Sequence, residues 1–222
     1  MDGIHDMGGM HGFGPVKPDE EDYKFSADWQ RRVFGLTEAL GGITPFNVDE
    51  FRREIERIPP AEYLNTHYFE KWLLALEWFL KDRGLVSQEE LDIGRKMFAP
   101  DLAGREPIGG DALIAAMAEG VELEFPAETV APLFAEGQQV RVKAMHGAAH
   151  NRCPRYLRGR TGVIVTDIGV FQFPDTMATG DGPHPQHLYS VSFTAAELWG
   201  ADAEAAGDAV LADLMEAYLE SA

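Results

Sequence analysis

The sequence predicts an α+β protein, with a mostly helical N-terminal half and a small β-barrel in the C-terminal part. Up to about residue 98, apolar residues recur three and four positions apart, which is the period of amphipathic helices. From Glu136 onward the period falls towards two, in short runs separated by Gly, Pro and Asp. Several short strands in fewer than 90 residues favour a small barrel.

The chain accordingly divides into three predicted parts. Residues 1–98 contain an extended arm, up to about residue 22, and then the helical domain. Residues 99–132, which are rich in Pro, Gly, Ala and acids, form a variable linker, and residues 133–222 form the barrel domain. Because the arm contains several glycines, its backbone can approach a partner surface closely.

Helical spacing and end signals place the helices. Ser26, Asn47, Thr66 and Ser87 each stand where an N-cap is expected, and Pro59-Pro60 stops the second helix. A weak fifth helix lies inside the linker. The predicted segments are 26–40, 47–58, 66–82, 88 to about 98, and 111–119.

The third predicted helix is apolar around most of its circumference, whereas an amphipathic helix needs only one apolar stripe. The neighbouring helices are short and few. We therefore expect a second protein chain to cover part of it. Its apolar residues are Tyr68, Phe69, Trp72, Leu73, Leu74, Leu76, Trp78, Phe79 and Leu80.

Four runs in the C-terminal part are strand candidates: QQVRVKAM, TGVIVTD, VFQF and HLYSVSF. Thr194-Ala-Ala-Glu197 is a capping box, so a helical turn should follow it. The tail DAVLADLMEAYLE has helical spacing on local grounds, and spacing alone leaves strand and helix open.

Composition excludes several functions. The formal charge is −18, which repels a phosphate backbone and argues against nucleic-acid binding. The N-terminus has no apolar core of a signal peptide, and the longest apolar run is too short to span a bilayer. One cysteine cannot form an internal disulfide, so a reducing compartment, the cytoplasm, is expected.

No metal-binding or nucleophile motif stands out. The seven histidines show no zinc-type spacing with carboxylates or cysteines, so no metal site is predicted in this chain. Cys153 lies in the basic stretch NRCPRYLRGR, which would lower a thiol pKa. A buried cysteine that acts as a small apolar side chain is the commoner case, and we favour it.

Charged and aromatic residues offer two interpretations each. The basic residues Arg141, Lys143, Arg152, Arg155, Arg158 and Arg160 have no acid among them. They could form an anion site, or they could be solvated or paired with the chain's own acids, which is common for charge runs. Arg52 could pair with Glu56 on a helix surface. Tyr68 and Trp72, four residues apart, would by default be core residues.

Four separated segments resemble the β subunits of nitrile hydratases, in order and from the first residue nearly to the last. The resemblance is weakest across residues 99–132. The segments are MDGIHDMGGMHGFGPV at the N-terminus, DEFRREIERIPPAEYL (49–64), HNRCPRYLRGRTGVIV (150–165) and FPDTMATGDGPHPQHLYSVSFTAAELWG (173–200).

The resemblance implies an obligate complex with an α subunit, assembled as a heterodimer or α2β2, that hydrates small nitriles to amides. The α subunit of that family carries cobalt or iron on a CxxCSC motif with two oxidised cysteines. The segment HPQHLYSVSFTAAELWG is closer to the cobalt type. The resemblance also implies that the arm contacts the α subunit, that the barrel is SH3-like, and that the tail closes it as a strand.

Site residues follow from the same resemblance. Arg52, the arginine of DEFR, and Arg152, the arginine of His-Asn-Arg, match two arginines that hydrogen-bond the oxidised cysteines of the α subunit. This implication replaces the surface-pair interpretation of Arg52. Residues at the family's substrate pocket are Val48, Phe51, Tyr68 and Trp72.

Three alternatives remain at this point. A thiocyanate hydrolase subunit resembles the same family, although its two halves occur on separate polypeptides. A non-catalytic accessory protein would resemble the N-terminal half and generally lack the barrel. An SH3-like interaction module without enzymatic activity would leave the pair of matched arginines unexplained.

Overall fold

A computed structural model describes residues 2–15, 24–41, 43–44, 46–102, 104–106, 108–205 and 207–222 of the chain. They divide into two compact units. The helical unit spans Gly12–Val121, and the sheet unit combines Met1–His11 with Glu122–Ala222. Residues 16–22, part of the predicted arm, lie outside the described residues.

Helices make up the regular structure of the helical unit where it is described. Both α1 and α2 pack against α4, the longest of them. No helix in the described ranges is long and apolar enough to cross a membrane. The helices are α1 (Asp28–Leu40), α2 (Val48–Glu56), α3 (Pro60–Asn65), α4 (Tyr68–Asp82), α5 (Gln88–Ile93) and α6 (Gly110–Glu119).

Five of these helices correspond to predicted segments, and α3 is an addition to the prediction. Pro60 does more than stop α2: it occupies the first turn of α3, where a missing N–H costs nothing. Thr66 therefore does not cap the next helix. Its hydroxyl donates to the Glu62 carbonyl at 2.6 Å, at the end of α3.

The fourth predicted helix is too long. Its described counterpart α5 ends at Gly94, which has a φ of +64° and provides the left-handed cap that glycine tolerates. The chain then folds back, and the Glu90 carboxylate accepts the N–H of Met97 at 2.7 Å. Ser26 is also not a cap, because Ala27 takes that position before α1.

The core of the helical unit forms around one face of α4. Phe51, Ala75, Leu76 and Phe79 are all buried there. The apolar side chains on the other faces, including Leu73, Leu74, Trp78 and Leu80, are half-buried. The apolar surface of α4 is thus only partly covered by the described residues of the helical unit.

The sheet unit contains an antiparallel sheet that follows the described strands in the order β5-β4-β3-β2-β6, while β1 pairs with the end of β3. Two short helices connect the strands. The elements are β1 (Glu124–Phe125), β2 (Gln139–Val142), β3 (Thr161–Phe171), α7 (Pro174–Met177), β4 (Gln186–Thr194), α8 (Ala195–Trp199), β5 (Ala209–Met215) and β6 (Leu219–Ser221).

Strand β3 joins two predicted strands into one. TGVIVTD and the start of VFQF are continuous, because register shifts between Ile164 and Thr166 and between Asp167 and Gly169 let the strand bend without ending. Gly169 has a φ of +133°, which a side chain would resist. The helical turn predicted after Thr194 is confirmed as α8.

The tail forms strands, as barrel closure requires, and not the helix that its local spacing allows. All seven residues of β5 pair with β4, from Ala209 opposite Thr194 to Met215 opposite Leu188. These ladder bonds and the burial of Leu214 outweigh local helical propensity. A closed barrel is not confirmed, because β5 and β6 stand at opposite ends of the strand order.

Candidate functional site

A cleft of about 520 Å³ opens in the helical unit, lined by residues of α1, α2 and α4. Its position depends on how α2 begins. The Asn47 side chain accepts the N–H groups of Asp49 and Glu50, each at 2.9 Å, and the Glu50 carboxylate accepts the Asn47 N–H at 2.9 Å. This complete capping box fixes the first turn of α2, which carries Val48 and Phe51. Arg52 follows in the next turn, and all three residues line the cleft.

Arg52 combines a partly exposed guanidinium with one local ion pair. Its Nη1 lies 3.4 Å from Oδ1 of Asp49, whose side chain is 4% exposed while that of Arg52 is 47% exposed. Among the described residues this is a single long contact, so it can occupy only one or two of the five guanidinium N–H donors of Arg52, which lines the cleft. An anionic group from outside the unit could therefore bind there.

Aromatic side chains also line this cleft. The ring of Phe51 meets Trp72 edge-on at 5.3 Å, and Tyr68 lies 5.5 Å from Trp72. Phe51 is buried, whereas Tyr68 is 65% exposed and carries its hydroxyl at the surface. The wall thus changes from apolar inside to hydrogen-bonding outside, which suits a ligand with an organic group and a polar end.

The structure brings five of the six sequence-predicted site residues to this one cleft: Val48, Phe51, Arg52, Tyr68 and Trp72. Thr37, Glu38 and Phe46 also line it and are additions to the prediction. No local signal marks them, because Thr37 and Glu38 belong to a different helix and Phe46 to a loop. Arg152, the sixth, lies in the sheet unit.

Arg152 lines a smaller cavity of about 140 Å³ within the sheet unit. Its backbone N–H donates to the Tyr218 hydroxyl at 3.0 Å. The N-terminal residues contribute to the same cavity. The lining residues are His5, Asp6, Asn151, Arg152, Cys153, Pro154 and Arg158.

Acids of the chain's own N-terminus neutralise part of the predicted basic patch. Arg158 forms an ion pair with Asp2, and its side chain is only 3% exposed. The backbone N–H and the guanidinium of Arg155 donate to the side chain and the carbonyl of Asp6, at 2.8 and 3.0 Å. For Arg158, pairing with the chain's own acids is thus what the structure shows, whereas the guanidinium of the exposed Arg155 contacts a backbone carbonyl.

Cys153 is a buried thiol next to this cavity. Its exposed fraction is 2%, and burial raises its pKa to about 11, although the charge of Arg158 acts in the opposite direction. At neutral pH nearly all of it is the unreactive thiol. The interpretation of Cys153 as a packing residue, not a nucleophile, is the one that this environment supports.

Histidines and carboxylates of the described chain do not gather into a metal site: no group of three or more His, Cys, Asp or Glu side chains there could bind an ion. His187 instead bridges protein groups. Its Nδ1 lies 2.9 Å from Asp167 and its Nε2 lies 2.9 Å from the Val130 carbonyl. Two acceptors on one ring favour the doubly protonated imidazolium.

A helical unit with an aromatic and arginine cleft, followed by an antiparallel sheet unit, defines the class: a two-unit α+β protein. Residues 1–120 match the family model "Nitrile hydratase beta subunit, N-terminal", and residues 123–221 match "Nitrile hydratase beta subunit, C-terminal". The chain therefore belongs to the nitrile hydratase β-subunit family, and the family that the sequence predicts is confirmed.

Curated relatives agree with the family models. A nitrile hydratase subunit beta of Pseudomonas putida is 37% identical over all of both chains. The low-molecular weight cobalt-containing subunit beta of Rhodococcus rhodochrous is 37% identical over 90% of this chain and 91% of its own length. The cobalt-containing nitrile hydratase subunit beta of Pseudonocardia thermophila is 34% identical over 99% of this chain and 96% of its own length.

Among solved structures, the recombinant apo-enzyme of thiocyanate hydrolase from Thiobacillus thioparus matches at 29% identity. It covers 41% of this chain and 78% of that chain, with a TM-score of 0.39. A score this low supports no conclusion about fold or activity.

Proposed function

We propose that this chain works as the β subunit of an enzyme that hydrates small nitriles to amides, in an obligate complex with an α subunit. The observation that carries the proposal is the match of both halves to the β-subunit family, together with 37% identity over the full length of a nitrile hydratase subunit. The alternatives named above account for less of this pattern, since they lack either one half or the activity.

The metal would belong to the α subunit. Two relatives are named as cobalt-containing, which favours cobalt over iron for the complex. When bound, such an ion supplies Lewis-acid chemistry for the addition of water. We further propose an α2β2 assembly in the cytoplasm, where a chain with one buried cysteine would remain reduced.

Arg52 and Arg152 would each donate hydrogen bonds to oxygen atoms of oxidised cysteines on the α subunit. The exposed guanidinium of Arg52, with one 3.4 Å contact within the described parts of this chain, suits an anionic acceptor supplied from outside. A guanidinium keeps its charge and its planar fork even where a partner chain excludes water. Neither arginine would transfer a proton; both would fix acceptor atoms in place.

The cleft would bind the nitrile. Phe51 and Trp72 form a continuous apolar wall, with ring centres 5.3 Å apart, for the organic group. Val48, which is 44% exposed, extends that wall towards solvent. The Tyr68 hydroxyl, on a side chain that is 65% exposed, would donate to the polar end of the substrate.

The sheet unit would complete an SH3-like barrel. The order β5-β4-β3-β2-β6 puts consecutive strands next to each other, and a short 3₁₀ helix, Glu216–Tyr218, leads from β5 to the opposite edge strand β6. One core shared by β2, β3, β4 and β5 supports the same architecture. We propose domain limits of 1–98, 99–132 and 133–222.

The test uses the chain produced together with its α subunit. The purified complex should contain two chains and about one cobalt per αβ pair, and it should hydrate a small nitrile. Arg52→Lys and Arg152→Lys, made separately, should lower kcat about 10- to 100-fold, because one ammonium cannot replace a bidentate fork.

Arg53→Lys on the same helix and Arg160→Lys in the sheet unit are the matched controls and should keep full activity. Full activity in Arg52→Lys or in Arg152→Lys would contradict the role given to that arginine. A chain that purifies alone, free of metal and monodisperse, would contradict the enzyme proposal and favour the interaction module.

A further inference from the structure

The segment Asn151–Pro154, which carries Arg152, lies outside the helices and strands of the described chain. No regular ladder of backbone hydrogen bonds therefore fixes the direction in which Arg152 leaves the backbone. Irregular segments obtain a defined shape from bonds made by residues elsewhere in the chain. The residues that bind this segment thus determine the position and direction of the Cα–Cβ bond of Arg152.

Tyr218 is one of them, and its hydroxyl is aligned by a second contact. The hydroxyl donates its only proton to Asp175, which leaves an oxygen lone pair for the N–H of Arg152 at 3.0 Å. The Tyr218 side chain is 2% exposed, so no water competes for that position. Burial, followed by the charge of Asp175, raises the pKa of Tyr218, so the hydroxyl stays protonated at every working pH.

Arg158 binds the residues on both sides of Arg152. Its Nη2 donates to the Cys153 carbonyl at 3.1 Å and to the Asn151 side chain at 3.3 Å. Its Nη1 donates to the Met145 carbonyl at 2.7 Å. One planar guanidinium, almost fully buried, thus ties the two neighbours of Arg152 to a third point 13 residues away from Arg158 in the chain.

We propose that Tyr218 and Arg158 are positioning residues for Arg152. Together they hold the backbone of Arg152 and Cys153 and the side chain of Asn151, and so aim the Arg152 guanidinium. The proposal rests on the proposed function of Arg152. A misplacement of about 1 Å in a group that orients reacting partners can cost about a hundredfold in rate. Loss of either positioning residue should therefore lower turnover without removing Arg152 itself.

Tyr189 offers a matched control for Tyr218. It is also fully buried in the sheet unit, and its hydroxyl donates to the Glu216 carboxylate at 2.7 Å. Its oxygen accepts a backbone N–H as well, from Phe134 at 3.4 Å. The two tyrosines thus differ mainly in the backbone N–H that their hydroxyl oxygen accepts: Tyr218 accepts the N–H of Arg152, and Tyr189 accepts that of Phe134.

The experiment compares Tyr218→Phe with Tyr189→Phe in the complex with the α subunit. We expect Tyr218→Phe to lower kcat about 10- to 100-fold with KM changed less than about twofold, and Tyr189→Phe to keep kcat, although both variants lose similar stability. In hydrogen exchange, Tyr218→Phe should speed exchange in the peptide containing Arg152, and Tyr189→Phe in the peptide containing Phe134.

Arg158→Lys provides a second variant, because it keeps the charge near Asp2 but cannot bind both neighbours of Arg152. It should lower kcat, while Arg141→Lys, at an exposed position, should not. Equal kcat in Tyr218→Phe and Tyr189→Phe, while Arg152→Lys is impaired, would overturn the positioning role and leave the function of Arg152 intact. Full activity in Arg152→Lys would instead overturn the proposed function on which the positioning role depends.

Discussion

Both units of this chain have an apolar core, but they differ in the further contacts that join their elements. Aromatic rings pack against each other in the helical unit: Phe46 lies 4.7 Å from Phe79 and 5.5 Å from Phe51, both stacked. In the sheet unit, buried hydrogen bonds join residues that are far apart in sequence. The Glu216 carboxylate, for example, accepts from Tyr189 at 2.7 Å and from the N–H of Leu133 at 2.8 Å.

This difference explains how each unit presents its arginine. Arg52 stands on a regular helix whose first turn is fixed by a local capping box, so packing beneath the helix is all that its position needs. Arg152 stands on an irregular segment that depends on polar bonds from Tyr218 and Arg158. Packing energy is nondirectional, whereas a hydrogen bond fixes distance and angle. The position of Arg52 should therefore be sensitive to substitutions in the apolar core and at the helix cap. The position of Arg152 should be sensitive to substitutions that remove a hydrogen bond.

The largest effect is expected from the aromatic core of the helical unit. Phe79 is 1% exposed, and its replacement by Ala should lower the free energy of unfolding by about 3–5 kcal/mol, since it loses the ring and leaves a cavity. Urea unfolding of the full chain would measure it. Phe13→Ala, at a position 61% exposed, should change stability by less than about 0.5 kcal/mol. A loss below about 1 kcal/mol for Phe79→Ala would contradict the packing account.

A smaller, pH-dependent effect is expected from His187 in the sheet unit. Burial disfavours the imidazolium, but the hydrogen bonds with Asp167 and the Val130 carbonyl, and the charges of Asp167 and Glu216, outweigh it and raise the pKa of His187 above 6.5. The pKa of His187 is higher in the folded chain than in the unfolded chain. The contribution of the charged imidazole to the free energy of unfolding is therefore fully present below pH 6.5 and is lost as the pH rises through the folded pKa.

His187→Gln should therefore lower the free energy of unfolding by about 1.5–3 kcal/mol at acidic pH and by less at pH 9, because hydrogen bonds to a charged group are the stronger ones. Urea unfolding of both chains between pH 5.5 and 9 would show it. The exposed His184, with a φ of +35° that asparagine tolerates, gives the control His184→Asn. A pH-independent difference between wild type and His187→Gln would show that this imidazole is neutral in the folded chain.

The smallest effect is local to α2. Asn47→Ala should lower the free energy of unfolding by about 1 kcal/mol, because it leaves the N–H groups of Asp49 and Glu50 without their acceptor. It should also lower nitrile turnover in the complex, since Arg52 follows in the next turn. Ser87→Ala removes the corresponding capping box of α5, which carries no proposed site residue, and should lower stability alone. Equal activity in the two variants would separate the capping of α2 from the position of Arg52.

Much of the cleft could be predicted from the sequence. Val48, Phe51 and Arg52 share one turn-and-a-half of a helix, and Tyr68 and Trp72 are four residues apart on another, so each group necessarily shares a face. The resemblance to the family then predicted that they are site residues. The errors arose at helix boundaries. Pro60 and Thr66 are residue types that can stand at the end of one helix or at the beginning of the next. Gly94 ends α5 before the predicted boundary near residue 98.

Four matched segments were enough to predict the family from the amino-acid sequence. The α+β class, the periodicity of most elements and the residues that share a helix face were also predictable, because they depend on residues close together along the chain. Local spacing left the tail open between strand and helix, and its pairing with β4 agrees with the strand that the resemblance implied. The contact of Arg158 with the acids of the N-terminus is visible only in the fold. The same is true of the Tyr218 hydroxyl, which accepts the N–H of Arg152, 66 positions away. Contacts over such separations leave no period in the sequence, because hydrogen bonds and burial between distant segments form only when the fold brings them together.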